Sequence, residues 1–131
     1  MNCIFCKINR GEIPSHKIYE DKKFLAFLDI HPINPGHLLL IPKKHVDYVF
    51  DLEEPLYSEM FKVAKNISKN LKKVMKAKRI GIAVEGFAVP HVHIHLVPIN
   101  NENELDHHRA KEATPEELSK VAKKILLKSP Q

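Results

Sequence analysis

Three histidines at alternate positions, His91-Val92-His93-Ile94-His95, are the feature of this sequence best suited to chemistry. In an extended strand, residues i, i+2 and i+4 share one face. The three imidazoles then point together, while Val92, Ile94 and Leu96 point the other way into a core. Three neighbouring places on a strand face given to imidazole make a poor core, so a functional reading is preferred. His-x-His on a strand can aim two nitrogens at one metal ion. Alternatively, one imidazole attacks a charged substrate while its neighbours orient it and handle protons. The chain carries nine histidines but only two cysteines, Cys3 and Cys6. Two thiolates cannot complete a tetrahedral zinc site alone, whereas two thiolates with two imidazoles can. A redox Cys-x-x-Cys opens a helix after a strand, and this pair precedes every strand expected here. Two unliganded buried thiols are the plainer alternative. A disulfide between residues three apart closes almost no loop, so a disulfide scaffold is excluded.

The elements that must position these groups follow from periodicity. Lys17 to Glu20 and Phe24 to Ile30 read as two strands joined at Asp21-Lys22-Lys23, and His37 to Ile41 as a third stopped by Pro42. Leu56, Met60, Val63, Ala64, Ile67, Leu71, Val74 and Met75 recur by threes and fours, which predicts a long amphipathic helix. It opens near Asp51 or Glu53, with Pro55 in its first turn, where a missing N–H costs little. Ile80 to Val84 and His91 to Val97 supply two more strands. Thr114-Pro115-Glu116-Glu117 is a capping-box start for a last helix that buries Leu118, Val121, Ala122 and Ile125. The expected fold class is α+β: a five-stranded antiparallel sheet with one long helix and a C-terminal helix. One domain over residues 1–131 is the expected organisation, since 131 residues suit one core and not two.

Composition narrows the function classes. The chain is 44% hydrophobic and 28% charged, which fits a globular protein and not a disordered or fibrous one. The net charge is +5, but eight basic residues between Lys62 and Arg79 mostly occupy the wet side of the long helix. A solvated face explains them better than a nucleic-acid or membrane surface, and no RNA-binding aromatic motif accompanies them. No run approaches the ~18 apolar residues of a membrane span. The start shows no basic segment followed by an apolar leader, so a cytoplasmic protein is the expectation.

At the level of motifs the chain resembles the histidine triad (HIT) family, whose pattern is His-φ-His-φ-His-φ-φ with φ apolar. His91-Val92-His93-Ile94-His95-Leu96-Val97 matches it. Ile4-Phe5-Cys6-Lys7-Ile8, Gly11-Glu12-Ile13-Pro14, Phe24-Leu25-Ala26-Phe27-Leu28-Asp29-Ile30 and Pro35-Gly36-His37-Leu38-Leu39-Leu40-Ile41-Pro42-Lys43-Lys44-His45 follow in family order. The resemblance covers residues 3–98, leaving 99–131 as a C-terminal loop and helix. It is similar to a zinc-bearing bacterial or archaeal branch resembling Hint-like nucleotide hydrolases.

This resemblance implies a nucleotidyl hydrolase or transferase acting at the α-phosphate of an adenylate. The substrate would be a phosphoramidate, an acyl-adenylate or a dinucleoside polyphosphate. His93 takes the place of the nucleophile that forms a nucleotidyl-imidazole intermediate. His95 and His37 take the places that flank the phosphate, where they stabilise developing charge or protonate the leaving group, and Asp29 that of the acid that binds the ribose hydroxyls. Phe27, Ile30 and Leu39 fall where the family has its apolar base pocket, and His91 adjoins the nucleotide site. In the zinc-bearing branch the metal ligands fall on Cys3, Cys6, His45 and His91, a structural site. A homodimer pairing the long helix and one strand across a two-fold axis is also implied. His16, His31, His107 and His108 match nothing and read as surface residues. The chain departs from the pattern at Gly86-Phe87-Ala88, where typical members have Gly-Gln-Ser or Gly-Gln-Thr, and at the usual Asn before it. It also has no Trp. Two further readings are a nucleotide-binding or sensing protein with little turnover, and a metal-dependent hydrolase with zinc on the three histidines.

Overall fold

The structure, a computed structural model, describes residues 3–127. Five strands form one antiparallel sheet: β1 (Lys17–Glu20), β2 (Phe24–Leu28), β3 (Leu38–Pro42), β4 (Arg79–Ala83) and β5 (Ile94–Ile99), in the order β1-β2-β3-β5-β4. The long helix α2 (Leu56–Val74) joins β3 to β4, and α3 (Pro115–Leu127) follows β5. This is the expected α+β architecture.

The two central strands explain why a single sheet can serve two purposes. Phe24-Leu25-Ala26-Phe27-Leu28 is buried at every position, and so is Leu38 to Pro42. Continuous apolar runs of this kind need cover on both faces. On one face Phe24, Ala26, Leu28, Leu38, Leu40, Ile94 and Leu96 pack under α2 and α3. The helix contributes Met60, Ala64, Ile67, Leu71 and Val74, while Lys62, Lys65, Lys69, Lys72 and Lys73 stay exposed. The other face carries Leu25, Phe27, Leu39 and Ile41, covered by Cys3, Phe5, Cys6 and Ile8.

That cover comes from a short helix, α1 (Ile4–Asn9), which the periodicity of the sequence does not announce. Six residues hold too few turns for an apolar stripe to repeat, so only packing stabilises the element. Cys3 is its N-cap and accepts from the Cys6 N–H at 3.4 Å. The Cys-x-x-Cys therefore opens a helix, although no strand precedes it among the described residues.

Helix boundaries differ from expectation in one other place. A 3₁₀ turn occupies Val49–Asp51, and α2 begins only at Leu56, after Pro55. Glu54 meets the first turn, accepting from the Ser58 N–H at 2.8 Å. At its far end the Lys76 N–H donates to the Lys73 carbonyl and the Ala77 N–H to that of Lys72, with Lys76 at φ 53°. This is a Schellman ending with Lys where Gly is usual. The capping box of α3 forms as expected: the Glu117 N–H donates to Thr114 Oγ1 at 3.1 Å, and the Thr114 N–H to Glu117 Oε1 at 3.3 Å. Among the described residues no helix is long and apolar enough to cross a membrane.

Leu40 lies at the centre of the helix-facing core and is fully buried. Leu40→Ala should lower the unfolding free energy by about 2–5 kcal/mol, measured by denaturant titration, because the sheet cannot collapse around the lost side chain.

Candidate functional site

Strand β5 begins at Ile94, so only His95 of the three alternating histidines lies in the ladder. The pairing with β3 ends at Leu40 opposite Ile94, and that with β4 at Ala83 opposite His95. The chain stays extended before that point, because the Val92 N–H donates to the Val46 carbonyl at 2.8 Å. Alternation therefore persists: Val92, Ile94 and Leu96 enter the helix-side core. His91, His93 and His95, all buried, take the opposite orientation. Register then sets His95 beside Leu39, and Leu39 beside Phe27, in one row across the sheet.

Backbone groups fix the proton on three of the imidazoles. His91 Nε2 lies 2.8 Å from the Pro42 carbonyl, which can only accept, so His91 carries its proton there and Nδ1 keeps a lone pair. His93 Nδ1 lies 2.7 Å from the His91 carbonyl and donates to it, which leaves Nε2 as the free nitrogen. His37 Nδ1 accepts from the Ile33 N–H at 3.0 Å, so its proton sits on Nε2. That proton faces His95 Nδ1 at 2.9 Å, with Asp29 Oδ2 at 3.5 Å from the same nitrogen. His95 accepts at Nδ1, so its own N–H is on Nε2. Burial, with His37, His93 and His107 beside it, lowers the His95 pKa to about 3, and burial lowers that of His37 as well. His95 is therefore a neutral donor at ordinary pH.

The lone pair of His91 meets a second cluster. His91 Nδ1 lies 3.3 Å from Cys3 Sγ, 3.5 Å from Cys6 Sγ and 3.2 Å from His45 Nδ1; Cys6 Sγ lies 3.3 Å from His45 Nδ1. All four donor atoms fall within 4.8 Å of one another. A tetrahedral ion at ordinary Zn–N and Zn–S lengths has ligand–ligand edges of roughly 3.3–3.8 Å, so the four donors fit a zinc ion. Burial and the neighbouring Cys3 push the Cys6 thiol up; a bound dication reverses that preference. His91 is fully buried, with Nε2 at the Pro42 carbonyl and Nδ1 among the cysteines and His45.

The other expected residues divide clearly. Asp29 Oδ1 accepts from the His31 N–H at 2.8 Å, and Oδ2 approaches His37. Ile30, next to it, is exposed. Phe27 and Leu39 are buried in the α1-side core, Phe27 edge-on to Phe5 at 5.7 Å. A metal held jointly by the three alternating histidines is not supported, because His91 turns to the cysteines while His93 donates to a carbonyl. Among the described residues the metal-competent sets are Cys3, Cys6, His45, His91 and, separately, Asp29, His37, His95.

His31, His107 and His108 are exposed and His16 is half-buried, as expected, but His107 also makes contacts beside the histidine cluster. It lies in a 3₁₀ turn, His107–Arg109, that brings its ring to 5.0 Å from that of His95 and its Nε2 to 3.5 Å from Glu85 Oε2. Nothing local in Asp106-His107-His108-Arg109 signals this, since the contact depends on how the loop after β5 crosses the sheet. On the near side of His93 a cleft of about 380 Å³ opens between residues 47–49 and 84–87, lined by Asp47, Tyr48, Glu85 and Phe87.

A family model described as the HIT domain matches residues 10–102. The chain belongs to the HIT domain family. It is 36% identical over 129 residues to an adenosine 5'-monophosphoramidase from Saccharomyces cerevisiae, an alignment covering 96% of this chain and 82% of the yeast protein. A Hit-like protein from Bartonella henselae superposes with a TM-score of 0.85 and 34% identity, over 98% of this chain and 97% of that one. A zinc-bound histidine triad family protein from Mycobacterium smegmatis gives a TM-score of 0.82 and 30% identity, over 97% and 92%. The HIT motif is thus read here in its three-dimensional setting.

The neutral His95 predicts an acid-sensitive fold. Its folded pKa lies below the ordinary value near 6.5, so below that pH the unfolded chain takes up a proton that the folded one refuses. Stability should be full above about pH 6.5 and decline progressively as pH falls towards 3. His95→Gln should flatten the decline, seen as denaturation midpoints between pH 7 and 4.

Proposed function

We propose that this protein hydrolyses adenylates at the α-phosphate through a nucleotidyl-His93 intermediate, with a phosphoramidate as the substrate of choice. The observation that carries the reading is the His93 tautomer. With Nδ1–H held by the His91 carbonyl at 2.7 Å, Nε2 keeps its lone pair, and His93 lines the cleft. A nucleophile needs that arrangement. The name of the yeast relative, a monophosphoramidase, supports the substrate class.

The remaining residues take roles that their hydrogen bonds allow. His95 offers Nε2–H to a phosphate oxygen, and because it is neutral it stabilises developing charge without titrating at neutral pH. His37 passes orientation to it from the Ile33 N–H. Asp29 accepts from ribose hydroxyls while its other oxygen stays tied to the backbone. Ile30, exposed beside Asp29, meets the base. Cys3, Cys6, His45 and His91 would hold a zinc ion, which ties the N-terminal segment to the sheet and takes no part in bond cleavage. The free edge of β4, with Ile82 exposed on it, supports the homodimer reading.

One observation favours a second reading. Phe87 is 93% exposed and the Ala88 side chain has no polar atom, so neither supplies a side-chain donor to the phosphate. A protein that binds nucleotides with little turnover is the consequence to test against. Rapid acid quench with a labelled adenosine phosphoramidate separates the two. Labelled nucleotide bound covalently to the wild type but absent from His93→Ala is expected, with binding of AMP to the variant within about tenfold. Binding without covalent label would leave a nucleotide sensor.

The metal assignment has its own measurement. Protein purified without a metal-affinity tag should contain about one zinc per chain, falling sharply in Cys6→Ser. The variant should unfold at lower temperature yet still form the covalent intermediate. A zinc-free wild type of the same stability as Cys6→Ser would return the cysteines to the role of plain buried thiols.

A further inference from the structure

The proposed reaction requires a proton for the leaving group, a role for which the resemblance points to His95 or His37. When a P–N bond breaks, the departing nitrogen carries an electron pair and must be protonated to leave as an amine. His93 is the attacking base. His95 is held neutral, and a neutral imidazole is far too weak an acid to surrender its N–H. His37 already directs its only N–H at His95 and Asp29. Asp29 accepts from the His31 backbone, and no Lys or Arg lines the clefts that hold His37 and His93.

One more imidazole lies within reach. The loop between β5 and α3 brings His107 edge-on to His95, with ring centroids 5.0 Å apart. Its Nε2 lies 3.5 Å from Glu85 Oε2, an ion pair when His107 is protonated. Glu85 also lines the cleft that contains His93, so its partner His107 is tied to a residue of that cleft. His107 differs from the triad in access: its side chain is 44% exposed, against 5% for the His93 residue, so solvent can recharge it. Among the described residues no hydrogen bond engages its Nδ1. Imidazole is also the side chain that exchanges a proton near neutral pH.

We propose that His107, held by Glu85, is a further catalytic residue, the acid that protonates the leaving amine; this rests on the nucleotidyl-His93 reading. In the first step His93 Nε2 attacks phosphorus, the P–N bond breaks, and His107 Nδ1–H passes to the departing nitrogen, which leaves as an amine. In the second step neutral His107 takes a proton from the water that attacks phosphorus. The bond to His93 Nε2 breaks, its electron pair returns to the ring, and the nucleoside monophosphate departs. His107 is again an imidazolium and His93 again free.

Leaving-group dependence tests this. The kcat/KM values of two adenylates are compared: an alkylamine phosphoramidate, which needs an acid, and a p-nitrophenyl ester, whose phenolate departs unaided. His107→Gln keeps the size of the side chain but has no proton to give. It should lower the phosphoramidate-to-ester ratio of kcat/KM by on the order of 100-fold, the scale of general acid catalysis. Glu85→Gln should lower the same ratio by a smaller factor. Thermal midpoints matching the wild type show that both variants fold. Equal losses on the two substrates would make His107 a loop-packing residue and overturn the proposal, as would no loss on either. A wild type that cleaves both substrates but yields no nucleotidyl-His93 overturns the mechanism it rests on, whatever the His107 ratio. A wild type inactive on both overturns the two readings together.

Discussion

An imidazole has two nitrogens, and backbone groups here hold one nitrogen on each of His91, His93 and His37. The Pro42 and His91 carbonyls can only accept, and the Ile33 N–H can only donate, so each contact selects one tautomer. Leaving such a buried partner unpaired costs about 1–3 kcal/mol, enough to make the alternative tautomer rare. Everything else at the site depends on which nitrogen is left over: Nδ1 of His91 for the cysteine cluster, Nε2 of His93 with its lone pair, Nε2–H of His37 for His95. The carbonyl of Pro42 reaches His91 only because β3 and β5 pair with Leu40 opposite Ile94. A slip of one residue would turn all three imidazoles into the helix-side core and bring Val92 and Ile94 to the cleft.

The same geometry makes the N-terminal segment part of the site. A six-residue helix has little stability of its own, yet Phe5 stands edge-on to His93 at 5.0 Å and to His91 at 5.9 Å. Cys3 and Cys6 flank it on the α1 side and converge on His91. Packing and the four-donor cluster thus act on the same few residues. Anything that holds the cysteines in place also presses Phe5 onto the imidazole that is read as the nucleophile.

The alternation of His91, His93 and His95 with Val92, Ile94 and Leu96 was legible because period two is independent of whether the ladder has begun. The ladder itself starts only at Ile94, yet the faces are assigned correctly. The α2 stripe and the Thr114 capping box were legible for the same reason: each is a local rule with a local cause. Helix α1 was not, since six residues cannot show a period. The β2 and β3 runs signalled two-sided burial, but not that Cys3, Phe5, Cys6 and Ile8 provide the second cover. The contacts of the exposed His107 with His95 and Glu85 were not legible, because they join two loops that are close only after β4 and β5 have paired. No pattern within either loop encodes that distance.

Charge is arranged on the same principle of two faces. The lysines of α2 account for much of the positive balance, yet the helix packs on the face opposite the histidines. A layer of sheet and the helix itself separate most of them from the cleft, and at physiological salt exposed charges fade over about 8 Å. On the proposed reading a phosphate at His93 meets His95 as a neutral donor and His107 as an exchangeable proton, in place of permanent cations. Permanent cations would bind substrate and transition state almost alike and tighten only the ground state. Donors held at fixed points, with protons exchanged by imidazole, act chiefly where charge develops during bond cleavage. A sheet with one face buried under a basic helix and the other carrying histidines therefore keeps its permanent cations apart from its imidazoles.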